Sequence, residues 1–576
     1  NTTGAQNTAV GLCALASNTT AGYNTAVGSL ALNANTTGTG LTGVGHIALI
    51  KNTTGDKNTA IGYDTLGENT TADNNTAVGY FALRVNTTGA DNTAVGYLSL
   101  LDNTTGLGLV AVGCGALTNN TTANYNVAVG GNGLRDNTTG TQNVAVGTSA
   151  LAFNTTAGCN TALGHSALEA NTTGTANVAV GRTALDANTT GGENSAVGKD
   201  ALGSNTTGCR NTGMGRNALF SNTTADNNTA VGHDSLFSNT TGTLNVAIGC
   251  GALDANTTAN NNTAVGANSL GVNTTGTANV AVGTTALDAN TTGSDNAAFG
   301  RNALGSNTTG GTNSAFGGNA LSANTTGTLN TATGYQALAS NTTASSNTSV
   351  GYNSLVSNTT GASNTSIGKE ALCLNSTGTE NTGVGKDVLK RNTTGAGNTA
   401  VGVEALNKNT TASNNVALGK LAMFTNTTGG ANTALGYQAL RLNVSGASNT
   451  AVGLCALRGN TTGASNTAVG TNAMYEGTTT GDFNTMVGVS SGRKMTSGTQ
   501  NTASGVNAME LNTTGAGNVA MGMSALAVNT TGIQNTAVGS NTLVANTTAS
   551  GNVALGAYSL QTNTTGFSNV AVGTCQ

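Results

Sequence analysis

The sequence predicts an all-β chain wound as a parallel β-solenoid of about 34 coils of 17 residues, and three observations carry that prediction. Asn-Thr-Thr recurs at Asn1, Asn18, Asn35, Asn52 and Asn69, and the same step continues to Asn460. Within the unit, one column is Gly in all 34 copies. The composition bars a conventional globular core, because 84 of 576 residues are Gly, none is Pro or Trp, and aromatic residues make up 3%. Self-similarity at a fixed short period marks stacked units that bury their apolar face only against neighbours.

The array reads as one continuous domain over 1–576, with the last unit partial. A single inserted residue near Gly477-Thr478-Thr479-Thr480 interrupts it, and the register recovers at Asn484. Columns are numbered here from the first Asn. The consensus is Asn-Thr-Thr-Gly, two variable residues, Asn-Thr-Ala-Val-Gly, two variable residues, Ala-Leu, and two more variable residues. A helical reading fails because Gly and Asn return every few residues and Asn-Thr-Ala-Val is short and β-branched.

Column 11 supplies the invariant glycines, including Gly11, Gly28 and Gly45, so it needs positive φ or has no room for a Cβ and turns the coil. Column 4 is Gly in most units but Ala at Ala21, Ala72, Ala123 and Ala549, which makes it a looser turn. Column 10 holds Val10, Val27 and Ile61, with Leu163, Met214 and Phe299 further on, and column 8 lies on the same strand face. The expectation is that both point into the core. Column 15 is Leu almost throughout, as at Leu15, Leu32 and Leu66, with Met423, Met474 and Met509 as near-isosteres, and forms a second core stripe.

Column 9, opposite columns 8 and 10 on the strand, is Ala, Gly or Ser except at Met486. A solvent-facing strand position drifts through larger polar residues, so a persistently small one predicts a closely packed neighbour. The neighbour expected is the same face of another protomer, with threefold lateral association; the alternative is that the coil's own fold buries the Ala. Column 7 is Asn in 32 of 34 units, the exceptions being Leu41 and Leu109, and its expected role is structural, in turns and stacked hydrogen bonds.

The sequence carries little reactive chemistry. Its formal charge is −4 with few and scattered Lys and Arg, which leaves no footprint for nucleic acid, and no apolar run approaches the roughly 18 residues that cross a bilayer. His46, His165 and His233 sit in variable column 12, or beside it at His46, several coils apart and without a recurring carboxylate or nucleophile. No catalytic group, cofactor or metal site is therefore expected, and the chain is not read as an enzyme. Eight Cys occur, the closest pair being Cys209 and Cys250, about two coils apart and in different columns, which predicts no intrachain disulfide.

Asn-x-Thr/Ser sequons stand in column 1 of 32 units, among them Asn1, Asn18, Asn35, Asn52, Asn69 and Asn86, so N-glycosylation along one edge competes with the simpler reading of Asn-Thr-Thr-Gly as turn chemistry. The adjacent Thr2 and Thr3 suggest a minor ice-binding alternative, weakened because adjacent strand residues face opposite ways.

Asn-Thr-Ala-Val-Gly followed by Ala-Leu resembles the Asn-Ser-x-Ala-Ile-Gly head repeat of trimeric autotransporter adhesins. It is also similar to the Asn-Thr-Ala-Val-Gly-Tyr-x-Ala-Leu arrays of phage tail fibres and bacterial surface fibre proteins, as at Asn92-Thr93-Ala94-Val95-Gly96-Tyr97 and from Asn330 to Leu338. The resemblance implies a left-handed β-roll, trimeric, displayed outside the cell or on a virion and acting in attachment. The unit in this chain is longer than the usual adhesin head repeat. The expected function is a structural extracellular fibre or shaft, the alternative an adhesin that binds a surface glycan or other polysaccharide. The expected partners are other copies of the chain, as a homotrimer or as a filament in which the repeat at Asn1 meets that at Val572-Gly573-Thr574-Cys575-Gln576 end to end, with neither nucleic acid nor membrane insertion.

Overall fold

The computed structural model describes residues 1–575, so the expected end contact at Gln576 lies outside the described residues. It is a parallel β-solenoid in which each turn repeats the sequence unit, and no helix occurs among the described residues. Each coil contributes one strand of three residues, columns 8 to 10. The chain forms two compact units, one spanning Asn1–Thr292 and one beginning at Gly293. The first holds β1 (Thr8–Val10) to β17 (Val280–Val282), and the second β18 (Ala297–Phe299) to β34 (Val570–Val572).

Within each unit, successive strands pair in parallel with like opposite like: Thr8 faces Thr25, Ala9 faces Ala26, and Val10 faces Val27. The insertion does not break this register, since Thr467, Ala468 and Val469 pair with Thr485, Met486 and Val487. The rest of the coil is turn, yet it is also tied to its neighbours. Leu32 N–H donates to Ala48 O at 3.0 Å, Ala34 N–H to Ile50 O at 3.1 Å and Thr36 N–H to Thr53 O at 3.0 Å. Short strands therefore suffice, because main-chain bonds join neighbouring coils outside them as well.

The strand face is the reverse of the one expected. Column 9 is buried, with Ala60, Ala162 and Ala315 fully enclosed, whereas columns 8 and 10 look outward. Val10 in the first coil is exposed, Val27 is half-buried and Ile61 is 40% exposed, so none of these three is core. Room explains the inversion: a Cβ added at Gly43 in column 9 would lie 3.1 Å from Leu32 Cγ, so the leucine stripe leaves space for a methyl group and little more. The small residues at column 9 are thus covered by their own coil and carry no argument for a second protomer. Leu15, Leu32 and Leu66 are buried as expected.

Gly11, Gly28 and Gly45 stand at φ between +133° and +139°, and a Cβ on any of them would come within 2.5 Å of the carbonyl oxygen of the next glycine in the column. Both reasons for glycine therefore hold at once. Column 15 was not expected to be left-handed, but Leu15, Leu32 and Leu66 lie at φ of 51°, 53° and 50°. This conformation disfavours β-branched side chains, and no Val or Ile stands in column 15. Ile47, Thr183 and Thr285 nevertheless adopt a similar φ in column 13, where they are half-buried, so the packing of the leucine stripe contributes to the choice as well.

Candidate functional site

Two files of asparagine run through the interior. In column 1, Asn188 Nδ2 donates to Asn171 Oδ1 and to Gly191 O, both at 2.9 Å. In column 7, Asn194 N–H donates to Asn177 Oδ1 at 2.9 Å, and Asn177 Nδ2 reaches the same Gly191 O at 2.9 Å. The column 4 carbonyl is thus the clasp between the files, each amide being buried and paired as a low-dielectric interior requires. Leu41 and Leu109 interrupt the second file: Leu41 N–H still donates to Asn24 Oδ1 at 2.9 Å, but leucine has no oxygen to pass on, and the file restarts at Asn58.

The sequon column is therefore interior. Asn18, Asn35, Asn52, Asn69 and Asn86 are buried, their Nδ2 groups bonded to a column 4 carbonyl, and only Asn1, in the first coil, is exposed. A glycan on these five nitrogens is incompatible with the folded coil.

Three features face outward. The first is the strand face, where column 10 exposes apolar side chains in nearly every coil beside a column 8 that is mainly Thr; Leu163 is 48%, Met214 43% and Phe316 41% exposed. The second is a hydroxyl file. Column 2 hydroxyls are spent inside, as when Thr189 Oγ1 donates to Thr206 O at 3.1 Å, but column 3 is exposed Thr or Ser in all 34 coils. The third is column 12, which includes His46 itself and stacks aromatic rings. His46, Tyr63, Tyr80 and Tyr97 follow one another with centroids 5.4, 5.2 and 5.6 Å apart and planes within 17° of parallel. Because the rings cover one another's faces, they present edges and phenol oxygens outward, a poor platform for a sugar face.

The charged side chains pair mostly along or across coils. Arg84 Nε binds Asp64 Oδ2 at 2.6 Å, which raises the guanidinium pKa, and Lys390 binds Glu370 and Asp387, holding the Glu370 carboxyl below its ordinary range. His233 Nδ1 lies 2.8 Å from Asp234 Oδ2. A shallow depression of about 210 Å³ brings Asp234 together with Asp254, Asn217 and Phe237. Burial, with a smaller contribution from the Asp234 charge, pushes the Asp254 carboxyl up. This acid pair was missed in the sequence; the signal lay in a spacing of one coil plus three positions, which also joins Arg84 to Asp64 and Lys390 to Glu370. That depression is lined by no Ser, Thr, Cys or Lys, and among the described residues no group of three His, Cys, Asp or Glu is arranged to hold a metal ion. All eight cysteines are free thiols.

The insertion leaves a fault. Thr479 bridges to Asn460 where column 1 would supply an Asn, and Asn460 Oδ1 is buried without a partner. One coil further on Met495 takes the column, its sulfur accepting from Asn512 Nδ2 at 3.3 Å. Gly492 replaces the column 15 leucine, and a Cβ there would meet Met486 Sδ at 2.8 Å, so the one large residue in column 9 fills the space of the one missing leucine.

No protein-family model matches the chain, and no curated protein matches it. No helix among the described residues is long and apolar enough to cross a membrane.

Proposed function

We propose that the chain is a structural repeat filament, an extracellular fibre or shaft at a cell or virion surface, non-catalytic and assembled laterally as a homotrimer of left-handed rolls. One observation carries this reading: the outward strand face repeats exposed Val, Ile, Leu, Met and Phe along column 10. Apolar surface of this extent marks an interaction site, and a second copy has the same coil period by construction, so each protruding side chain meets an equivalent partner in every coil. This face replaces column 9 as the contact between protomers.

Mass photometry of the full chain tests the reading. The expected result is a trimer that Leu163→Glu combined with Met214→Glu and Phe316→Glu converts to monomers while the β signal in circular dichroism is kept. A wild-type chain that stays monomeric at micromolar concentration refutes it.

A second reading, ice binding, draws on the column 3 hydroxyls. They survive where column 1 is no longer Asn, at Thr480 and Ser497, so the sequon does not explain them. The file is a single residue wide, set between column 2, whose hydroxyls are spent inside, and the Gly or Ala of column 4, and for that reason ranks second. Absence of thermal hysteresis in the intact protein removes it.

A further inference from the structure

We infer that the stacked tyrosines of column 12, Tyr63, Tyr80 and Tyr97 with Tyr335 and Tyr352, are a modification site at which one-electron oxidation staples adjacent coils through dityrosine bonds. Tyr80 is flanked by Tyr63 and Tyr97 at 5.2 and 5.6 Å, with ring planes 13° and 17° apart, and a second pair, Tyr335 and Tyr352, lies 5.9 Å apart at 15°. All five rings are exposed, so an oxidant reaches them and the side chains can change rotamer. Phe81, 4.2 Å from the Tyr80 ring and 5.6 Å from that of Tyr63, buttresses the file from column 13. Five further tyrosines, Tyr23, Tyr125, Tyr437, Tyr475 and Tyr558, have no tyrosine beside them in their column and serve as internal controls.

The chemistry balances with a haem peroxidase and hydrogen peroxide as oxidant. Each of two phenols loses one electron and its proton. The two radicals couple through the ring carbons ortho to oxygen, and the two displaced ring hydrogens move to the oxygens and restore the phenols. Hydrogen peroxide takes up the two electrons and two protons and leaves as two waters. The fold contributes proximity: neighbouring coils hold the second ring in contact, so coupling within one chain needs no encounter between chains.

The test is peroxidase treatment of the dilute full-length chain, followed by denaturation, tryptic digestion and fragment mass spectrometry. Cleavage after Lys57, Arg84 and Arg135 puts Tyr63 and Tyr80 in one peptide and Tyr97 in the next. The expected products are a Tyr63–Tyr80 peptide lighter by two hydrogens and a Tyr80–Tyr97 cross-link between the two peptides. Both should come from a monomeric band, at yields about tenfold above any link to Tyr23 or Tyr125. Tyr80→Phe should abolish both, and Tyr125→Phe should change neither. Oxidation in urea should erase the preference. Links spread evenly over stacked and isolated tyrosines, links only between chains, or no dityrosine at all would each overturn the inference.

Discussion

Replacing Asn222 by Ala removes one rung of the column 1 file and isolates what the buried amides contribute. Asn222 Nδ2 donates to Asn205 Oδ1 at 2.8 Å and to Ala225 O at 3.1 Å, and Asn222 Oδ1 accepts from Asn239 Nδ2 at 3.0 Å. Ala225 O keeps the bond from Asn211 Nδ2 at 2.8 Å, so its loss is partial. Asn205 Oδ1 and one Asn239 N–H are left buried and unpaired, at a cost of about 1–3 kcal/mol each, to which the vacated amide volume adds little. A total of about 2–6 kcal/mol follows. Since coils contact only their neighbours, the loss should appear as local opening around this coil. Hydrogen exchange of the amides from about one coil before to one coil after Asn222 should quicken by roughly 30-fold to about 10,000-fold, with distant coils unchanged. Asn222→Met should cost less than Asn222→Ala, because Met495 shows that a thioether can take this column and accept from the next Asn. Exchange accelerated less than about threefold, or equally along the whole chain, would refute the view that the amide files hold adjacent coils together.

Gly198→Ala places a Cβ 2.4 Å from Gly215 O at a φ of +135°, and should destabilise by at least about 3 kcal/mol, read as lost protection in the two adjoining coils. Met486→Ala should cost about 2–5 kcal/mol by leaving the space beside Gly492 empty, and Gly492→Leu alone should overpack it. The double variant, which restores the consensus, should recover most of the loss in thermal unfolding. At Asp254 the folded carboxyl has a raised pKa, chiefly from burial and then from Asp234, so its protonated form favours the fold. Stability is fully present below the ordinary carboxylate pKa and declines as pH rises through the raised one. Asp254→Asn should therefore melt higher than wild type at pH 7, and the difference should vanish near about pH 3.

Period, parallel stacking and the positions of Gly11 and Leu15 were legible because each column has 34 samples, or nearly so, of one environment. The facing of the strand was not. Alternation gives two faces without saying which is inside, and size suggested that Val, Ile and Phe belonged there. The deciding quantity is the width of the coil: with Leu15-type side chains and two asparagine files inside, only a methyl group fits at column 9, so the bulky residues are turned out. The asparagine files were legible as ladders but not as interior, since Asn is a residue of turns and surfaces until a stack of identical amides satisfies it. Column 15 carried a readable sign in the absence of Val and Ile, which fits a left-handed backbone at a buried, packed position. The Asp234 and Asp254 pair was hidden by a spacing that means nothing until coils are laid side by side.

The clasp formed by Asn171, Asn177, Asn188 and Gly191 uses partners no further than one coil away. Excising or duplicating one whole repeat would join ends that already match, leaving the main-chain ladder and the asparagine files as they were. Recombination between the near-identical segments of the gene could then lengthen or shorten the product by whole units without passing through a misfolded intermediate, so that reach is heritable yet adjustable within a lineage. A shift by any other number of residues would have to be absorbed, as at Thr479, by a local fault.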